Sequence, residues 1–208
     1  MQLFDAATLS NGAFEEILSF LRAGGVIGFP TDTAYGLGAD PFNETAVRRI
    51  FEIKGRAEDK PILLLVDSVE MARSVASVPD KALALAERFW PGPLTLVLPA
   101  LPNVPSLVTA GTGTIGIRWA KAGFAARVIS AWNRPITATS ANISGRESTV
   151  AAEEVRDQLQ DRLEVLVDGG VLPARGGSTL LDLTQTPPKV LRQGPISQAD
   201  LDEAMTRP

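Results

Sequence analysis

Seven short strand-like runs punctuate the sequence: VIGF at 26–29, ILLLV at 62–66, LTLVL at 94–98, TIGI at 114–117, PITAT at 135–139, EVLVD at 164–168 and STLLDL at 178–183. Between several of them lie segments with helical periodicity. Phe14, Ile17, Leu18 and Leu21 recur at i, i+3, i+4 and i+7, so residues after an Asn11 cap form a helix with one buried face, stopped by Gly24-Gly25. From Asn43 to Ile53 the pattern puts Val47, Ile50 and Phe51 inward and Arg48, Arg49 and Glu52 outward, closing near Gly55. Further helices are predicted over 80–89, 122–132 and 151–160, and Ser197 with Asp200 reads as a capping box for a short last helix. Strands alternating with helices dictate an α/β sheet protein. The uneven spacing and the hairpin-like neighbours near 178–192 make that sheet mixed. The first residues read as a polar entry into the first helix, and Pro91–Pro105 as a long loop flanking a strand. No repeat or linker interrupts the chain, so one domain over 1–208 is expected.

The 208 residues include no histidine and no cysteine. That removes disulfides, thiolate nucleophiles, His/Cys zinc shells, the Ser-His-Asp triad and imidazole acid-base catalysis. Any chemistry falls to carboxylates, Lys, Arg, hydroxyls, amides or an oxygen-bound metal. The N-terminus lacks a basic leader and no apolar run is long enough to span a bilayer, which gives a cytoplasmic expectation and no membrane partner. Twenty basic against twenty-four acidic side chains, a formal charge of -4, weigh against a surface devoted to nucleic acid. The charges are unevenly placed, however. No Asp or Glu occurs from Arg88 through Arg146, a stretch that holds Arg88, Arg118, Lys121, Arg127, Arg134 and Arg146. Folded over a cleft, such a stretch attracts anions; the more ordinary reading of any one of these residues is a solvated charge balanced from elsewhere. Arg118 stands apart because it ends a strand, where α/β sheets bind ligands.

Gly111, Gly113 and Gly116 spell the dinucleotide fingerprint, but a strand follows them where a helix should open and no acid lies downstream for a ribose, so the match is a decoy. No Walker A sequence exists either. More informative are three polar segments: Pro30-Thr31-Asp32-Thr33-Ala34-Tyr35-Gly36-Leu37-Gly38 after VIGF, Lys54-Gly55-Arg56 with Lys60-Pro61 at a helix end, and Ser140-Ala141-Asn142-Ile143-Ser144-Gly145 after PITAT. Singly, each is ordinary turn, dipole or cap chemistry.

Together with FWPGPLTLVL (89–98), TIGIR, STLLDL and LRQGPIS (191–197), and in this order, the segments resemble the threonylcarbamoyl-AMP synthase (YrdC-like) family from about Gly24 to Ser197. The resemblance implies a YrdC-like twisted mixed α/β sheet with flanking helices around a large positively charged cavity. It implies a nucleotidyltransferase that condenses L-threonine, bicarbonate and ATP to threonylcarbamoyl-AMP and pyrophosphate for N6-threonylcarbamoyladenosine at position 37 of tRNA. Magnesium would accompany ATP with no metal site of the protein's own, and downstream proteins would transfer the threonylcarbamoyl group. Carried over by position, Lys54, Arg56, Ser140 and Asn142 are the catalytic K-x-R and S-x-N elements. Arg56, Lys60, Thr114, Ser140, Ser148 and Arg192 fall on the ATP side, and Thr33, Arg118 and Ser178 on the threonine side. The competing readings are a module of the same fold that binds tRNA or double-stranded RNA without synthase activity, and a paralogue making another carbamoyl or acyl adenylate. The sequence departs from the family at Leu65, where several members have histidine, and at Trp119-Ala120-Lys121, which lacks an Arg-x-Pro pattern.

Overall fold

A computed structural model describes residues 1–173 and 176–206. The strands are β1 (Gln2–Asp5), β2 (Ile27–Pro30), β3 (Tyr35–Gly38), β4 (Leu63–Val66), β5 (Leu94–Pro99), β6 (Thr114–Trp119), β7 (Ile136–Ser140), β8 (Val165–Asp168), β9 (Thr179–Asp182) and β10 (Lys189–Arg192). The helices are α1 (Asn11–Arg22), α2 (Glu44–Lys54), α3 (Val69–Arg73), α4 (Asp80–Phe89), α5 (Ser106–Thr109), α6 (Phe124–Trp132), α7 (Ala152–Leu159) and α8 (Gln198–Thr206). All ten strands join one sheet in the order β1-β8-β2-β3-β7-β4-β6-β5-β9-β10. It is mixed, as expected: β1/β8, β2/β8, β4/β6 and β5/β9 run parallel, whereas β2/β3, β3/β7, β4/β7, β5/β6 and β9/β10 run antiparallel.

Three sequence expectations need correction. The chain enters through β1 rather than directly into a helix, because the first residues find a parallel partner in β8 far along the chain. Helix α1 is capped by Ser10, whose Oγ accepts from the Ala13 amide at 3.2 Å, and Asn11 is its first residue. Tyr35–Gly38, read as loop, is a strand hairpinned to β2. Its alternating glycines concealed it: a Cβ at Gly38 would sit 2.6 Å from the Phe29 ring, so the close approach of β2 and β3 leaves no room for a side chain there.

Strand alternation sorts side chains to two faces. On one, Leu64, Ile115, Ile117 and Leu96 pack beneath α2, α4, α5, α7 and α8, with Ile50, Leu85, Val155 and Leu201 entirely buried. On the other, Ile27, Phe29, Leu65 and Ile136 meet Phe14, Ile17, Leu18 and Leu21 of α1 and Val128 and Ile129 of α6. Truncating a residue such as Ile50 or Leu64 to alanine should cost about 2–5 kcal/mol. The second layer is incomplete, since α1 and α6 cover the face around β2, β4 and β8 but leave the part over β5, β6 and β9 to loops. That bare stretch of sheet is where a ligand can sit. Among the described residues, no helix is long and apolar enough to cross a membrane.

Candidate active site

The uncovered sheet floors a cavity of about 480 Å³, within the range of about 300–1,000 Å³ usual for small-molecule sites. Period-two alternation aims Thr114, Gly116 and Arg118 of β6 into it while Ile115 and Ile117 go to the core beneath. A Cβ at Gly116 would lie 3.2 Å from the Leu63 Cβ and 3.3 Å from the Thr95 Cγ2, so glycine keeps the floor low. Thr31, Thr33 and Ala34 from the β2–β3 turn, Ala138, Thr139 and Ser140 from β7, and Ser178, Asp182 and Arg192 around the β9–β10 hairpin complete the wall. Among the described residues, three guanidiniums, from Arg56, Arg118 and Arg192, line the cavity with one carboxylate, Asp182. The site is thus set for anionic ligands.

Arg118 is only 3% exposed. Its Nη1 donates to Thr33 Oγ1 at 2.7 Å and lies 3.4 Å from Asp32 Oδ1, while Nε and Asp32 Oδ1, both buried, have no hydrogen-bond partner among the described residues. Burial presses the Arg118 pKa down and the Asp32 carboxylate opposes this. A buried guanidinium with unspent donors at a cavity wall is a site for a planar carboxylate. Thr33 is held by the turn itself: Thr31 Oγ1 accepts from the Thr33 amide at 3.2 Å and donates to the Ala34 carbonyl at 2.7 Å. Across the cavity, Gly55 adopts a left-handed conformation (φ 57°) that ends α2 and turns Arg56 inward. Arg56 donates through Nη1 to Thr139 Oγ1 at 3.1 Å and through Nη2 to the Pro61 carbonyl at 2.9 Å, which leaves its buried Nε free. Ser178 is buried, linked to Thr95 Oγ1 at 2.6 Å, and receives Arg192 Nε at its carbonyl at 3.0 Å.

Of the residues expected at the site, Thr33, Arg56, Thr114, Arg118, Ser140, Ser148, Ser178 and Arg192 line the cavity together. Lys54, Lys60 and Asn142 do not. Lys60 is exposed. Lys54, 3% exposed, lies behind the wall and donates to the Ser140 carbonyl, to the Asn142 carbonyl at 2.9 Å and to Asn142 Oδ1 at 3.1 Å. Leu65 is wholly buried under the second helical layer, in register beside Arg118, so the departure from histidine supplies an apolar neighbour there. The acid-free stretch resolves mostly the ordinary way. Arg88 pairs with Glu203 at 2.6 Å, Arg134 with Asp40 at 3.2 Å, Arg127 stacks over Phe14 at 4.0 Å, and Lys121 and Arg146 are exposed; Arg118 alone of the six lines the cavity.

Sequence reasoning missed the supporting partners Asp32, Thr95 and Thr139. Asp32 sits inside the PTDT segment and could have been suspected as a counter-ion; Thr95 and Thr139 become neighbours only through sheet pairing. It also missed the pin under the β2–β3 turn, where the Tyr35 hydroxyl accepts from the Gly169 amide at 2.9 Å and donates to the Gly170 carbonyl at 2.8 Å. Burial, aided by Asp168, pushes the Tyr35 pKa up to about 12. For metals, no group of three or more Asp or Glu suited to holding an ion exists among the described residues. Burial alone would raise the Asp182 carboxyl, but bonds from Thr184 and Gln185 and the charge of Lys189 outweigh it and hold it down.

Lys54 yields a pH prediction. Desolvation by burial, with a smaller push from Arg56, lowers its pKa from 10.5 to about 7. Between these values the unfolded chain binds a proton that the folded chain lacks, so the Lys54 contribution to stability rises with pH, by up to about 1.4 kcal/mol per unit. Denaturant unfolding of the wild type and of Lys54→Met should show their stability difference climbing in the wild type's favour from neutral pH towards pH 10. A flat difference would mean that the ammonium is not desolvated.

The Sua5/YciO/YrdC family model, described as telomere recombination, matches residues 19–194. A threonylcarbamoyl-AMP synthase of Pyrococcus abyssi is 42% identical over 187 residues, covering 89% of this chain and 55% of the relative. That of Bacillus subtilis is 38% identical over 200 residues, covering 95% of this chain and 58% of the relative. The chain thus spans a little over half the length of both. A crystal structure of P. abyssi Sua5 complexed with L-threonine superimposes with a TM-score of 0.94 at 38% identity, covering 99% of this chain and 61% of that one. The sheet order and the two unequal helical layers are accordingly those of a known fold.

Proposed function

Because this chain belongs to the Sua5/YciO/YrdC family, we propose that it is an L-threonylcarbamoyladenylate synthase, a nucleotidyltransferase acting on ATP, bicarbonate and L-threonine. The observation that carries the reading is one cavity with a buried, half-satisfied Arg118 beside Thr33 at one end and Arg56 with Ser140 at another. Arg118 and Thr33 hold the threonine carboxylate, with Ser178 supporting that side. Arg56, Thr114, Ser140, Ser148 and Arg192 receive the nucleotide, and Lys60 is an exposed cation outside the lining, left to long-range attraction. The threonine amine and bicarbonate give a carbamate with loss of water. A carbamate oxygen then attacks the α-phosphorus, the bond to the β-phosphate oxygen breaks, and pyrophosphate leaves with its electron pair. Positioning and charge stabilisation suffice for this, which suits a chain without histidine. Magnesium, which ATP would carry, would supply further charge neutralisation, and no residue of this chain is assigned to hold it. The adenylate is consumed by separate transfer proteins that modify tRNA, a setting that places the chain in the cytoplasm. Pairing of Arg88, Arg127 and Arg134 with separate partners, Glu203, Phe14 and Asp40, speaks against the alternative of a dedicated RNA-binding module.

The direct test is incubation with ATP, magnesium and bicarbonate with or without threonine. Pyrophosphate and adenylate should form only when threonine and bicarbonate are both present. A pocket that pairs the threonine hydroxyl should reject valine more strongly than serine. Pyrophosphate release at equal rates without threonine would overturn the assignment, and equal use of threonine and valine would show that the hydroxyl is not read.

A further inference from the structure

We propose that Lys54 is a positioning residue, not a ligand of the nucleotide: its ammonium clamps the loop after β7 so that Ser140 is held at the cavity wall. The inference rests on the reading of Ser140 as a substrate contact. It arises from a count of donors and acceptors. An ammonium has three protons. At Lys54 they meet three oxygens, the carbonyls of Ser140 and Asn142 and the Asn142 side-chain Oδ1. Nothing is left over for a phosphate, and the residue is not among those lining the cavity.

The surrounding bonds show what the clamp organises. The Lys54 carbonyl accepts from the Ser144 amide at 2.9 Å, so main chain and side chain of one residue grip both ends of the turn. Asn142, oriented by Lys54 through Oδ1, uses Nδ2 to tie the Ile143 carbonyl at 3.0 Å and the Arg146 carbonyl at 2.7 Å. Beyond it, Thr149 Oγ1 donates to the Ala141 carbonyl at 3.1 Å, the Ala141 amide to the Tyr35 carbonyl at 2.8 Å and the Tyr35 amide to the Thr149 carbonyl at 2.9 Å. The loop that presents Ser140 and Ser148 is thereby fastened to the end of α2 and to β3. Lys54 and Asn142 form one unit, which explains in physical terms why both stand behind the wall while Arg56 and Ser140 stand in it.

The charged group facing Lys54 is Arg56 from the turn after α2; the oxygens facing it from the loop are uncharged. Arginine cannot replace it. A planar guanidinium directs its donors in one plane, whereas the three acceptors surround a tetrahedral nitrogen. This separates the proposal from a phosphate contact, where a cation of either shape would serve in part.

The experiment is hydrogen exchange by mass spectrometry on the free protein, together with steady-state kinetics. Lys54→Met and Lys54→Arg should both speed exchange in peptides covering 140–150, by about ten- to a hundredfold, and leave α1 and α6 unchanged. Both should lower kcat through a misplaced Ser140 while the salt dependence of the KM for ATP stays that of the wild type. Unchanged exchange in 140–150, with Lys54→Arg near full activity and Lys54→Met showing a weaker salt dependence for ATP, would overturn the proposal in favour of a phosphate ligand. Should Lys54→Met fail to fold, Lys54→Arg read by the same exchange and kinetic measurements decides the matter, since it keeps the charge and changes the donor geometry. Wild-type protection of 140–150 in Lys54→Arg would refute the clamp. A wild type without threonine-dependent pyrophosphate release would refute the functional reading and leave the exchange result standing by itself.

Discussion

Exchange of Arg118 for lysine is expected to weaken the amino-acid substrate by about a hundredfold or more, while ATP affinity changes by no more than about threefold. The side chain is buried, its Nη1 is fixed by Thr33 at 2.7 Å and faces Asp32 at 3.4 Å, and its Nε has no hydrogen-bond partner among the described residues. A carboxylate can take a parallel pair of bonds from such a fork. Lysine keeps a charge but offers one nitrogen at the end of a flexible stem, and in this dry setting it must satisfy Thr33 and Asp32 before it can serve a ligand. Because a carboxylate bound there is shielded from water, losing one of the pair's bonds carries nearly the full cost of desolvation. The variant should melt close to the wild type, since the cation remains opposite Asp32. Titration calorimetry with threonine and with ATP separates the outcomes. If ATP weakens and threonine does not, the division of the cavity into amino-acid and nucleotide ends is wrong.

The second large effect is at Arg56. Arg56→Ala should cut the rate of adenylate formation by about a hundred- to a thousandfold, the range associated with removing one preorganised donor from developing charge. Its bonds to Thr139 Oγ1 and the Pro61 carbonyl hold the guanidinium in place before any ligand arrives, so little reorganisation accompanies the reaction. The residue is half-buried at the cavity rather than in either core, so the fold should survive its loss. Single-turnover pyrophosphate release alongside a thermal melt tests both halves. A variant that melts early but retains its rate per folded molecule would make Arg56 scaffolding.

Two features of the site show how far local sequence carries. The amphipathic spacing of α2, its Asn43 cap and the left-handed Gly55 are all local, and they alone fix where Arg56 leaves the helix. Likewise Thr114, Gly116 and Arg118 share a face because a strand alternates, whatever lies around it. The β2–β3 hairpin was harder to read, because glycines chosen for close packing against Phe29 erase the hydrophobic alternation that marks a strand.

The sequence by itself determined most of the element types, the mixed α/β class and the candidate residues at strand ends, because periodicity, caps and turn residues act over a few positions along the chain; β1 and β3, whose pairing or glycines hide that pattern, escaped it. It also identified the family, because ordered motifs carry that information. Only the tertiary structure decided which cations face the ligand. Arg118 and Arg56 enter the cavity, while Arg88, Arg127 and Arg134 find partners elsewhere, as far away as Glu203, Phe14 and Asp40. The same holds for Lys54, which the motif groups with Arg56 two residues on. Its role turns on three oxygens 86 and 88 positions later. Charge and hydrogen bonding act through space, and their partners are set by how β7 is laid between β3 and β4. No local pattern encodes that placement.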